Sequence, residues 1–179
     1  MRPHSVAVLS KEAQTMKSIQ QLKDTLIKEN ELYTQVLKLA EKKTKVIVNG
    51  DIKELENITK KEQQYIMTMG TFEKIRRSIL TNIAEELNIE AITSVSELIL
   101  FIDEGIGNEV DALRNDLLKT IGSLKAANEG NEKLINQSLQ YINFNLEILT
   151  HSPEDGNRYS NKASENKEIK SINFFDMKV

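Results

Sequence analysis

Residues 19–51 read IQQLKDTLIKENELYTQVLKLAEKKTKVIVNGD. Ile19, Leu22, Leu26, Tyr33, Val36, Ala40 and Ile47 recur on alternating three- and four-residue steps. That rhythm puts them on one face of an α-helix. Glu29 and Lys43 fall on the same stripe and interrupt it with charge. The spacing predicts an amphipathic helix from about Ser10 to Val48, with Ser10 as N-cap and Glu12 in the first turn. Val46-Ile47-Val48 is β-prone, but its place at the end of a sustained heptad pattern assigns it to the helix. Asn49-Gly50 stops the helix. Between two helical patterns, Gly50 reads as the left-handed residue beyond a helix C-terminus.

Working outward, Asp51 caps a second helix, and Glu54 three residues on makes a variant capping box. This helix uses Ile52, Leu55, Thr59, Ile66, Met69, Leu80, Ile83 and Leu87 and ends near Asn88. So short a connection forces the first two helices antiparallel. Ser94 and Glu97 form a second capping box that opens a short helix over residues 95–102. Asp103, Gly105 and Gly107 lead into a third long helix. There Val110, Leu113, Leu117, Ile121, Leu124, Asn128, Asn131, Ile135, Ser138, Ile142 and Leu149 keep the rhythm. Pro153 ends it near Thr150 or His151. The fold is therefore all-α: an elongated up-and-down bundle, or antiparallel coiled coil, of three long helices and one short one. Residues 1–151 form this domain.

Residues 152–179 change character. The stretch SPEDGNRYSNKASENKEIK is polar and aperiodic, which predicts a flexible tail. It ends in an apolar motif, with Ile172, Phe174, Phe175, Met177 and Val179. Either the motif binds a partner or it folds back on the bundle.

Composition narrows the chemistry. With 5 Phe, 4 Tyr, no Trp and only 2 Pro in 179 residues, a sandwich or barrel is disfavoured. With no Cys there is no disulfide, thiol nucleophile or thiolate metal site. The 2 histidines, His4 and His151, sit near segment ends and leave little for imidazole chemistry. No metal site, no cofactor and no catalytic set emerge. There is no Gly-rich phosphate loop, and Glu85-Glu86 reads as a solvated helix face. Formal charge runs +4 over residues 1–50, −4 over 51–103, −3 over 104–151 and zero in the tail, for a net −3. Nothing there marks a nucleic-acid footprint. A basic first helix beside acidic neighbours suggests segments that attract one another. Lys42, Lys43 and Lys45, near a helix end, would complement its dipole. No apolar run approaches the roughly 18 residues of a membrane span, and Val6 to Leu9 is too short for a signal sequence. The expected location is the cytoplasm, without stable membrane insertion.

Three constellations remain. Glu62, Glu73 and Arg76 lie on the seam of the second helix, with Glu73 and Arg76 spaced to pair. Asn128 and Asn131 lie three apart on the seam of the third. Buried asparagine in a coiled coil fixes register at a cost in stability, so a register device is the plain reading and a notch for a partner the functional one. The last is a stripe of Leu134, Ile135, Leu139, Ile142 and Leu146, running on to Leu149. It is broader than a two-helix seam needs, so either the bundle has four layers there or the surplus is a groove for a partner helix.

Together these residues resemble the FlgN family of flagellar export chaperones, over roughly residues 20–150. The resemblance rests on Leu22, Glu31 and Tyr33; on Lys42 to Lys45, Asn49-Gly50-Asp51 and Leu55-Glu56; on Glu62-Gln63 and Glu73-Lys-Ile-Arg76; and on Asn128, Asn131, Leu134 and Ser138-Leu139-Gln140-Tyr141-Ile142. The tail adds Tyr159 and an ending from Phe175 to Lys178 that is similar to the family's C-terminal motif, although no Gly follows Tyr159 closely. The resemblance implies a cytoplasmic chaperone. It would bind the C-terminal helices of the hook–filament junction proteins FlgK and FlgL, keep them unpolymerised, and deliver them to the type III export gate and its associated ATPase complex. It further implies that Tyr159 docks at the gate. A structural coiled-coil protein without an exchangeable client, and a carboxylate enzyme or enzyme regulator, are the competing classes. The oligomeric state, monomer or homodimer, stays open.

Overall fold

The computed structural model describes residues 3–150, with side chains from Thr15 onward. Tyr159, His151, the side chain of His4, the apolar terminus and the expected boundary after residue 151 lie outside what it describes. Four helices follow one another: α1 (Pro3–Asn49), α2 (Ile52–Leu87), α3 (Val95–Leu98) and α4 (Glu104–Thr150). Three are long, and no strand occurs among the described residues, as the periodicity requires. The chain forms two compact units, Met1–Tyr141 and Ile142–Val179. The described part of the second is the helical run Ile142–Thr150.

Polar pairs fix the directions within the first unit. Ser18 meets Glu86, Glu29 meets Arg76 and Lys43 meets Glu62, so α2 runs antiparallel to α1. Lys23 meets Glu109, Asn30 meets Thr120 and Thr44 meets Asn131, so α4 runs parallel to α1. The result is up, down, up. Among the described residues, α1 and α2 make the most extensive close backbone approach. The main core joins Ile19, Leu22 and Leu26 of α1 to Leu80 and Ile83 of α2, Val95 and Leu98 of α3, and Val110 and Leu117 of α4. A second cluster gathers Val36, Ala40 and Leu124. Burying such side chains contributes about 1.5–3 kcal/mol each.

The turns follow their residues. Gly50 adopts φ +66°, its N–H donating to Ile47 and that of Asp51 to Val46. The same double bond closes α2, with Asn88 at φ 56° and Ile89 donating to Ala84. Both are Schellman motifs. Asp51 accepts from the Glu54 N–H at 3.0 Å, and Ser94 from that of Glu97 at 3.1 Å. Neither box closes on its cap. The Glu54 carboxylate turns to Lys42, and that of Glu97 accepts from the Thr93 N–H and hydroxyl.

Several details correct the sequence reading. Helix α1 begins at Pro3, so Ser10 lies within it and is not its cap. Pro suits a first helical position, and no breaker stands between the two. Helix α3 stops at Leu98, because Leu100 and Phe101 donate three residues back instead of four. Lys42 and Lys43 pair with Glu54 and Glu62 across the hairpin instead of serving the dipole. Glu86 is half-buried and accepts from Ser18 at 2.7 Å. On α2 the buried set is Ile58, Ile79, Leu80, Ile83 and Ala84, while Ile52, Thr59 and Ile66 are exposed. A straight helix drifts about 20° per heptad from a strict seven-residue repeat, which moves these positions off the seam.

Candidate functional site

Helix α4 is held against α1 as far as Asn131. The Asn131 amide donates to the Ala40 carbonyl at 2.9 Å and accepts from the Thr44 hydroxyl at 2.7 Å. Helix α1 then has few residues left before the chain reverses at Gly50. The exposure of α4 changes accordingly. Leu134 and Ile135 are half-buried, and from Asn136 to Thr150 every residue except Asn145 is exposed. Leu139, Ile142 and Leu146 are 52%, 51% and 54% exposed, and Phe144, Ile148 and Leu149 are exposed as well. Residues of this type at helical spacing can cover a partner's apolar helix face.

The seam residues divide between two clefts, both lined by α1, α2 and α4, and the second also by Thr93 to Ser96 at the start of α3. One, of about 370 Å³, is bordered by Glu62, Ile66, Met69, Asn128, Asn131 and Ile135, among others. The other, of about 290 Å³, is bordered by Glu73, Arg76, Arg77, Arg114 and Leu118, among others. Asn131 is buried, as a register residue should be, but Asn128 is exposed at the cleft edge. Glu73 and Arg76 do not pair with each other. Glu73 pairs with Arg77 one turn on, and Arg76 reaches across to Glu29. In-helix spacing made the first pairing plausible, but a buried carboxylate on the facing helix is the stronger attractor for a guanidinium. Burial pushes the Tyr33 phenol up from its usual range, and the Glu29 charge beside it adds to the shift.

Glu29, Thr44 and Ile66 matter here more than their sequence positions implied. Glu29 was visible only as a break in a stripe, and Ile66 was placed in the core. A separate cleft of about 570 Å³, bordered by Met16, Leu87, Phe101 and Ile106, lies where α2 ends and α4 begins. Among the described residues no group of three or more His, Asp or Glu is arranged to hold a metal ion, and no helix is long and apolar enough to cross a membrane.

No solved structure matches the chain. Over 161 residues it is 28% identical to the uncharacterized protein YvyG of Bacillus subtilis (strain 168), covering 90% of this chain and 96% of that protein. The family model described as FlgN protein matches residues 16–167, most of the described bundle included. The chain therefore belongs to the FlgN family, and its general role is that of a flagellar export chaperone.

Proposed function

We propose that this chaperone holds the C-terminal amphipathic helices of the hook–filament junction proteins FlgK and FlgL in the cytoplasm and carries them to the export gate and its associated ATPase complex. The observation that carries the reading is the α4 stripe of half-buried Leu134 and Ile135 and exposed Leu139, Ile142 and Leu146. Such a surface suits a client helix that would otherwise polymerise through its own apolar face. No covalent chemistry is required. Of the seam residues, Glu62, Arg76 and Asn131 tie their helices to α1, Glu73 pairs within α2, and Asn128 is exposed at a cleft edge.

The test is Leu139→Glu and Ile142→Lys, assayed by calorimetry against the C-terminal segments of both junction proteins from the same genome. Both side chains are half exposed, so helicity should stay unchanged. Affinity should fall about tenfold or more if they are central anchors. Normal binding by both variants moves the site elsewhere. A stable dimer that these substitutions dissociate would favour the structural coiled coil instead. For delivery, Tyr159→Ala should leave client binding intact and weaken binding to the gate's cytoplasmic domain. Unchanged gate affinity rejects that assignment, and a loss only on truncation after Ser171 assigns the contact to Phe174 and Phe175.

A further inference from the structure

Helix α3 packs Val95 and Leu98 into the core with α2 and α4 residues, and Thr93 to Ser96 border one of the two clefts between α2 and α4. The two clefts there are consecutive: one is bordered by Arg76 and Leu80 with Arg114 and Leu118, the next by Ile66 and Met69 with Asn128 and Ile135. Helix α1 contributes Leu26 to the first and Val36 and Lys43 to the second. From Arg114 to Asn136 the α4 wall runs roughly 33 Å at about 1.5 Å per residue, the length of a helix of some twenty residues. The cleft rims carry exposed apolar side chains, with Ile66 at 64% and Leu118 at 49%. Met69, Ile121 and Ile135 are half-buried behind them.

We infer that the two clefts act as one groove and that a client helix lies along it, beside α1, α2 and α4. The inference rests on the chaperone reading and says where on the bundle the client is seated. Three observations select this occupant. Ile135 borders the groove and, within the same unit, lies one turn from the exposed Leu139 of the proposed client stripe. The length fits a single uninterrupted helix. Of the charged residues that border the clefts, Arg76 is already paired with Glu29, Arg77 with Glu73, Arg114 with Asp111 and Lys43 with Glu62, which leaves Glu132 as the one bordering charge outside these pairs. A groove so neutralised does not call for a strongly charged ligand. It favours an apolar stripe on i, i+3, i+4 spacing, edged by neutral polar groups that Asn128 and Asn136 can meet.

The decisive variant is the double substitution Ile66→Asp with Leu118→Asp, titrated with the junction-protein C-terminal segment. Both positions are exposed, so the far-ultraviolet spectrum should not change. Affinity should drop about tenfold or more, while Ile52→Asp, exposed on α2 away from the groove, should bind as the unmodified chain does. Wild-type affinity in the double variant overturns the inference. If the double variant loses its helicity, a photo-crosslinking residue at position 66 decides: client adducts there and none from position 52 support the groove, and adducts from neither overturn it. Should the unmodified chain bind neither junction protein, the chaperone reading itself fails, an outcome distinct from the failure of the groove.

Discussion

Glu29 and Arg76 are 47 positions apart, and the Arg76 guanidinium grips both carboxylate oxygens of Glu29, one at 2.6 Å. The Glu29 side chain is 3% exposed and that of Arg76 28%. A buried carboxylate is tolerated only while its partner is present. Arg76→Ala should therefore cost about 3 kcal/mol, the low end for breaking a buried pair, because water can follow the lost side chain. Adding Glu29→Leu removes the stranded charge, so the double variant should be more stable than Arg76→Ala alone. Urea unfolding of the two single variants and the double settles it, and simple additivity would contradict the pairing.

Asn131 is buried with both ends of its amide engaged. Asn131→Leu should change stability by no more than about 1 kcal/mol, since both hydrogen-bonded partners keep other bonds and apolar volume is gained. The Thr44 hydroxyl retains the Ala40 carbonyl at 3.2 Å. Asn131→Asp should be clearly worse, because it turns a charged acceptor toward that carbonyl. Equal unfolding midpoints for the two would refute this role.

Glu97 supplies the acid-sensitive term. The Thr93 N–H, and then the Thr93 hydroxyl, hold its carboxyl below the ordinary value of 4.5. The folded state thus prefers the carboxylate, and its advantage is present above that value. It should be lost as pH falls from about 4.5 through the folded value. Glu97→Gln should flatten the melting temperature in that window. The Glu54 carboxyl is also lowered, first by the Lys42 hydrogen bond. Because that pair is exposed, its share should fade in high salt while that of Glu97 persists.

Gly50→Ala tests the first turn. A Cβ there would meet nothing within 4 Å, so any loss is backbone strain from φ +66°. About 1–2 kcal/mol is expected. Asn88→Ala should cost about the same, and Asn88→Gly should cost nothing measurable by thermal unfolding, because Gly accepts the left-handed region freely.

How legible was all this in the sequence? The helices were, because three–four periodicity and the Asn-Gly stop are local signals. Asn131 was, because its spacing alone sets an amide on an apolar stripe, where burial obliges it to find hydrogen-bond partners. The partners were not. Glu29 and Lys43 appeared only as interruptions, and nothing local says that one meets Arg76 and the other Glu62. The groove was hidden for another reason. Ile66 keeps the seam's spacing in the sequence, yet the helix has rotated off the seam by the time it reaches that position.

The close approach of α1 and α2 has a kinetic consequence. Their contacts begin beside the tight reversal at Gly50, with Lys42 and Glu54 12 positions apart, and can close outward one after another, whereas the α1–α4 polar pairs span 86 to 91 positions. Short closures come first when chains fold. The hairpin should therefore be in place while α4 is still searching, and pulse-labelled exchange should protect the amides of α1 and α2 ahead of those of α4. During synthesis the order is the same: the first two helices leave the ribosome with their mutual contacts already available. The last helix then arrives as the chain's own first guest, on a surface made before it.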